Sequence, residues 1–155
     1  MENIDKYKKF WNKKKVFITG HTGFKGSWLC IMLGYLNSKI DGYALKPEKN
    51  SLFNKAKIAK RLTSNTYSDI NDITKLKKKL KQSKPEIVFH LAAQPLVLES
   101  YKAPLKTFST NIIGTLNLLE SIREIKSIKS VVIITTDKVY KINKKNIGYK
   151  EFDQL

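Results

Sequence analysis

Residues 19–26 read TGHTGFKG and follow directly on the apolar run Val16-Phe17-Ile18. Glycines recur at every third position, as Gly20, Gly23 and Gly26. The preceding run KKVFIT (14–19) is β-branched and aromatic and stops at glycine, the pattern of a short buried strand. Beyond the turn, residues 25–37 place Leu29, Met32, Leu33 and Leu36 at the spacing of a helix face. A glycine turn at such a junction brings backbone amides against a phosphate at the helix N-terminus. It must turn tightly, let a diphosphate approach and let the helix pack closely on the sheet. Gly20, Gly23 and Gly26 fill those roles. A triphosphate loop needs Gly-Lys-Ser/Thr in that order, whereas here Lys25 precedes Gly26. The turn reads as a dinucleotide site.

The flanking sequence repeats the same alternation. KIDGYAL (39–45) is a second strand, and Pro47 with a polar loop leads to SLFNKAKIA (51–59), a short helix by pattern. TSNTYSDI (63–70) is a weak strand ending near Asp69. NDITKLKKKLKQ (71–82) sets Ile73, Leu76 and Leu80 on one stripe, with Asn71 or Asp72 as cap and Pro85 as terminator. EIVFHLAA (86–93) is continuously apolar, as a strand buried on both faces of a parallel sheet must be. A long helix fits 104–125, with Ile112, Leu116, Leu119 and Ile122 in register, and SVVIITT (130–136) is the last strand. The order β-α-β-(α)-β-α-β-α-β predicts an α/β fold, a doubly wound parallel sheet with right-handed crossovers.

The chain has 155 residues, enough for a domain with a real core, and no internal boundary interrupts 1–155; about residues 1–13 read as an N-terminal extension. Its one cysteine, Cys30, sits in an apolar stretch, which fits a reducing compartment. No apolar segment precedes residue 15 and the longest near-apolar run is about ten residues, so neither a secretory signal nor a membrane span is expected, and the location expected is cytoplasmic. The net charge of +17 raises the question of nucleic acid. Only Arg61 and Arg123 are arginine, however, and the lysines are spread along the chain among many Ile and Asn residues. That is the mark of codon bias on a solvated surface, and no nucleic-acid partner and no metal site are expected. Tyr7, Phe10 and Trp11 form an aromatic stripe read as packing on the domain's edge, in preference to a membrane-surface helix. His90 reads as a buried, hydrogen-bonded histidine, and His21 as a residue that shapes the loop.

The spacing G-x-x-G-x-x-G, with HLAAQ (90–94), TNIIGTLNLLE (110–120) and TTDKVY (135–140), resembles the extended short-chain dehydrogenase/reductase superfamily. FWNKKKVFITGHTGFKGSWL, GYALKP followed by SLF, SDIND, PEIVFHLAAQPLV, SY before a proline, and TTDKVY are similar to the CDP-glucose 4,6-dehydratase family within it. The resemblance implies a Rossmann-type domain holding NAD, which is reduced and reoxidised in each turnover. Hydride leaves C4 of the glucose, water is eliminated across C5 and C6, and hydride returns to C6. For the cofactor it implies Gly20, Thr22, Gly23, Phe24, Gly26, Asp69, Ile70, Ala92, Ala93 and Gln94, with Asn111 as backbone structure nearby. For the chemistry it implies Thr136 on the sugar 4-hydroxyl, Asp137 as the acid protonating the departing C6 hydroxyl, and Lys138, in place of another family's glutamate, at C5. An acid in that role must keep its proton near neutral pH, and a lysine base must lose one.

Three departures stand against the pattern. No acid ends the second strand, where an NAD site usually has one: Asp41 comes too early and Glu48 follows Pro47, so NAD over NADP rests on the resemblance. Leu98 stands where the family usually has arginine. The superfamily's Tyr-x-x-x-Lys pair would fall beyond Leu155; Tyr140 and Lys144 have its spacing but follow the strand too closely. The expectation is therefore the NAD-binding N-terminal half of a nucleotide-sugar dehydratase, truncated before the last strands and the substrate domain and inactive alone. The small-molecule partner expected is a nucleotide sugar. The fifth strand would be an open edge, and the family's homodimer, half of whose surface is the helix at 104–125, is not carried over to the fragment. The alternatives are a non-catalytic dinucleotide-binding module or gene remnant, and half of a related nucleotide-sugar epimerase or dehydratase.

Overall fold

A computed structural model of the chain describes residues 2–136, 139–141 and 148–155. Helix α1 (Glu2–Trp11) leads into strand β1 (Lys15–Thr19), the glycine turn and helix α2 (Phe24–Tyr35). Strand β2 (Lys39–Ala44) is followed by the single turn α3 (Leu52–Lys55) and a 3-10 turn at Ile58–Arg61. Strand β3 (Ser64–Tyr67), helix α4 (Ile73–Ser83) and strand β4 (Ile87–His90) come next. Helices α5 (Val97–Lys102), α6 (Pro104–Phe108) and α7 (Gly114–Ile122) then precede β5 (Ser130–Ile133), with a π-helical stretch at Ser109–Ile113 joining α6 to α7.

The five strands lie in the order β3-β2-β1-β4-β5 and all pair in parallel, which is the doubly wound sheet expected. Alternation along a strand sends neighbouring side chains to opposite faces. Val16 and Ile18 thus join Cys30, Leu33, Ile40, Phe53 and Ile58 on one face, while Phe17 joins Tyr43, Ile70, Leu76, Leu80, Val88 and Leu118 on the other. Helix α4 starts as its sequence predicts: the Asp72 carboxylate accepts from Lys75 N–H at 3.0 Å. At the end of the sheet where strands begin, Glu86 accepts from Lys14 Nζ at 3.1 Å and lies 3.6 Å from Lys129 Nζ. Those lysines hold its carboxyl below the usual range, the Lys14 hydrogen bond foremost.

The structure corrects four expectations of detail. In α2 the buried residues are Gly26, Ser27, Cys30 and Leu33, and Met32 is exposed. In the long helix, Ile112, Leu116 and Leu119 are exposed and the buried residues are Gly114, Leu118 and Ser121. The helix expected over 51–59 is a short α-turn and a separate 3-10 turn, and α5 was not expected at all. Of the N-terminal stripe Trp11 packs on the domain, 6.3 Å from the Phe89 ring, and Phe10 meets Trp11 edge-on at 5.0 Å, whereas Tyr7 and most of Phe10 are exposed. Among the described residues no helix is long and apolar enough to cross a membrane.

Cys30 is fully buried, and burial alone pushes its thiol up to about 12. A thiol reacts as thiolate. The folded chain is therefore expected to resist a water-soluble thiol reagent at pH 8 and to label stoichiometrically in denaturant, counted by intact mass. Rapid labelling of folded chain would contradict the burial.

Candidate dinucleotide site

The site begins where β1 ends. Gly20 has φ +72, the left-handed region, and its N–H donates to Tyr43 O at 2.9 Å, tying the turn to the end of β2. Thr22 Oγ1 donates to Leu45 O at 3.0 Å, one residue beyond β2. Gly23 caps α2, its own N–H donating to Gly20 O at 3.1 Å, and the next backbone donor to return to the turn is Ser27 N–H, to Gly23 O at 2.8 Å. The first-turn amides of α2 thus have no intrahelical acceptor and stand at the positive end of the helix dipole. A Cβ on Gly26 would lie 2.8 Å from His21 Cα and 2.9 Å from Gly20 C, so its bare backbone is what lets α2 sit down on the turn.

Above the C-terminal ends of β1, β2 and β4 opens a crevice of about 200 Å³. Of the residues read from the sequence, Gly20, Thr22, Gly23, Asp69, Ile70, Ala92 and Ala93 line it. Phe24 does not; it projects from the start of α2 and is 72% exposed. Gly26 lies beneath the turn as packing. Gln94 and Asn111 lie outside the lining and brace each other: Gln94 N–H donates to Asn111 Oδ1 at 2.7 Å, and Asn111 Nδ2 donates to Gln94 O at 3.1 Å. Thr136 follows β5 and is exposed, while Asp137, Lys138 and Lys144 lie outside the described residues. Tyr140 stacks on Tyr149, with ring centroids 4.9 Å apart.

Sequence reasoning missed several lining residues. Ala44 and Leu45, Ser68 and Leu91 flank the ends of β2, β3 and β4, and the rule that ligands bind over carboxyl ends of parallel strands would have found them. Tyr43 also lines the crevice, its hydroxyl donating to Asp69 O at 3.0 Å. Lys106 and Thr110 arrive from the long helix, and no local signal announces them. Asp41 does not stand in for the missing ribose acid. Asp41 belongs to the opposite end of the sheet, where Ser64 Oγ (2.6 Å) and Ser83 Oγ (2.5 Å) donate to its carboxylate.

His90 is buried between Thr19 Oγ1, 2.7 Å from Nδ1, and Thr115 Oγ1, 2.9 Å from Nε2. Thr115 Oγ1 donates to Asn111 O, so it accepts from a protonated Nε2 and leaves Nδ1 to accept from Thr19. Burial lowers this imidazole's pKa. The ring is a neutral strut joining β1, β4 and the long helix beneath the crevice.

A family model described as GDP-mannose 4,6 dehydratase matches residues 17–152. The chain is 48% identical over 149 residues to CDP-glucose 4,6-dehydratase of Salmonella typhimurium, which is 96% of this chain and 41% of that protein. It aligns with UDP-glucose-4-epimerase of Stenotrophomonas maltophila with bound NAD and formylated UDP-arabinopyranose at TM-score 0.75 and 23% identity, covering 91% of this chain and 42% of that one. That likeness shows the fold alone. MoeE5 in complex with UDP-glucose and NAD aligns at TM-score 0.68 and 25% identity, over 90% of this chain and 42% of that one. The chain thus spans less than half the length of these relatives. With the parallel sheet, the glycine turn at its crevice and the family match all covering the same residues, the chain belongs to the GDP-mannose 4,6 dehydratase family.

Proposed function

We propose that this chain is the NAD-binding portion of a nucleotide-sugar 4,6-dehydratase whose substrate is CDP-glucose. The observation that carries the reading is the junction at residues 20–26: first-turn amides without acceptors, over glycines where side chains would meet backbone, open to a crevice over the strand ends. Those residues fit a diphosphate, with the first-turn α2 amides holding the bridge and bare Gly23 letting it approach. Asp69, Ile70, Ala92 and Ala93 would bound the flat groups on either side. NAD, when bound, supplies the hydride acceptor at the sugar C4 and gives that hydride back at C6. The substrate choice draws on the 48% identity to the Salmonella enzyme. Thr136 would orient the sugar 4-hydroxyl, Asp137 would protonate the leaving C6 hydroxyl, and Lys138 would act on the C5 proton. Water is then the only net loss from the sugar. The Tyr-x-x-x-Lys pair that removes the 4-hydroxyl proton in this superfamily has no counterpart in these residues, so the chain by itself is proposed to bind cofactor without turnover.

Titration of the purified chain with NADH, followed by nicotinamide fluorescence, is expected to saturate, while CDP-glucose incubated with chain and NAD keeps its mass. Absence of saturable binding would refute the cofactor reading. Loss of one water from CDP-glucose would refute inactivity.

A further inference from the structure

His21 stands within the glycine turn, yet it is fully buried and does not line the crevice. Its imidazole lies across β2 at Gly42, where a Cβ would come within 2.5 Å of Cδ2 and 2.7 Å of Cγ and Nε2. Only a glycine in that strand leaves room for the ring. The Phe53 ring of α3 meets it edge-on at 5.3 Å. Nε2 lies 2.8 Å from Asn65 Oδ1 on β3. Asn65 Nδ2 donates to Tyr67 Oη at 3.0 Å, which turns the amide oxygen toward the imidazole and makes Nε2 the donor. Nδ1 is then the unprotonated nitrogen, and it is buried. Burial lowers the pKa, opposed by the Asn65 hydrogen bond and more weakly by the Tyr43 carbonyl, so the ring stays in this neutral form. The residue's own carbonyl accepts from Ser27 Oγ in α2 at 3.3 Å. Successive residues of the turn are therefore anchored on neighbouring strands: Gly20 N–H to Tyr43 O, the His21 ring to Gly42 and Asn65, Thr22 Oγ1 to Leu45 O.

We propose that His21 is the positioning residue of this turn: its imidazole, laid over Gly42 and donating to Asn65, fixes where the first-turn amides of α2 point and so sets the affinity of the site for a dinucleotide diphosphate. The ligand half rests on the dinucleotide reading above; the ordering of the turn does not. His21 is a single-residue link between the turn and two strands that lie far from it in sequence. The donor is what matters, because Asn65 Oδ1 can only accept. A residue that fills the space without donating leaves the half-buried Asn65 Oδ1 without its imidazole donor, and a glutamine, whose amide nitrogen can reach the place of Nε2, restores the bond.

The test uses the whole 155-residue chain as wild type, His21→Leu, His21→Gln and Asn65→Ala. Amide hydrogen exchange of residues 22–26 is read without ligand against the amides of β4, and NADH affinity is read separately. His21→Leu is expected to speed exchange in the turn by roughly tenfold while β4 keeps its protection, and to weaken NADH by a similar factor; His21→Gln recovers most of both. Should the leucine variant not fold, Asn65→Ala, which keeps the ring and removes its acceptor, must show the same local acceleration. Wild-type exchange of the turn in a folded His21→Leu or Asn65→Ala chain overturns the proposal. So does equal acceleration in the turn and in β4, the signature of lost packing alone, or a glutamine variant no better than leucine. If the turn responds as expected but even the wild type fails to bind NADH, the positioning stands and the dinucleotide reading falls.

Discussion

A Gly20→Ala chain is expected to lose about 3 kcal/mol of unfolding free energy, seen as a fall in urea midpoint at unchanged slope. Two costs add. With φ +72 the residue sits in the left-handed region, where a Cβ costs about 1 kcal/mol or more. The Cβ would also lie 2.5 Å from Leu91 C and 2.6 Å from Ala92 N and Leu91 O. These are backbone atoms of the segment leaving β4, so no side chain can swing aside. Leu91 N–H donates to Thr19 O at 3.1 Å and Ala92 N–H to Thr19 Oγ1 at 3.3 Å, and moving Leu91 away disturbs both bonds between the end of β1 and the β4 exit. Gly34, inside α2, provides the contrast, since a Cβ there would meet nothing within 4 Å. Gly34→Ala is expected to stabilise by about 0.5–1 kcal/mol through helix propensity. Equal midpoints for the two variants would show that the β1 turn is not in close contact with the β4 exit.

The same turn shows how much could be read from residues alone. Strands buried on both faces announce themselves as apolar runs, so β1 and β4 were legible from KKVFIT and EIVFHLAA, and the glycine spacing placed the crevice between them. Burial of helices was less legible. Helix α2 is apolar nearly all round, and periodicity cannot choose a face when every face is hydrophobic; Cys30 and Leu33 go inward while Met32 does not. In the long helix the error has a different origin. Reading by size selects Ile112, Leu116, Leu119 and Ile122, of which Ile122 packs against the core, but the buried residues are Leu118 and the small Gly114 and Ser121. A Cβ on Gly114 would lie 2.5 Å from Ile70 Cγ2, Thr115 Oγ1 pairs with His90, and Ser121 folds its hydroxyl back onto Asn117 O. Close approach favours residues that a hydrophobicity pattern ranks low. His21 was legible as a shaper of the loop; its burial was not, because Gly42 and Asn65 belong to other strands and only the folded sheet brings them to it. Lys106 and Thr110 reach the crevice for the same non-local reason.

The orientation of that long helix carries the other large effect. Leu118 is fully buried in the cluster of Phe17, Tyr43, Ile70, Leu76, Leu80 and Val88, and it is the one large apolar residue of α7 that is buried. Truncation removes its transfer free energy and leaves a hole that the sheet on one side and α4 on the other cannot close, so Leu118→Ala is expected to cost about 3 kcal/mol, within the 2–5 found for buried leucines. Leu116 and Leu119 are 57% and 43% exposed. Their alanine variants, in urea melts at the same low protein concentration, are expected to stay within about 0.5 kcal/mol of wild type. The comparison is sharp because these positions differ only by rotation about one helix axis: residues 116 and 118 lie about 200° apart, and 118 and 119 about 100°. A helix turned so that the large residues faced the sheet would reverse the order, with Leu116→Ala severe and Leu118→Ala mild. It would also pull Thr115 from His90 and Gly114 from Ile70, taking away the strut and the close contact beneath the crevice. Stability of three leucine variants thus tests whether the floor of the proposed cofactor site is built as described.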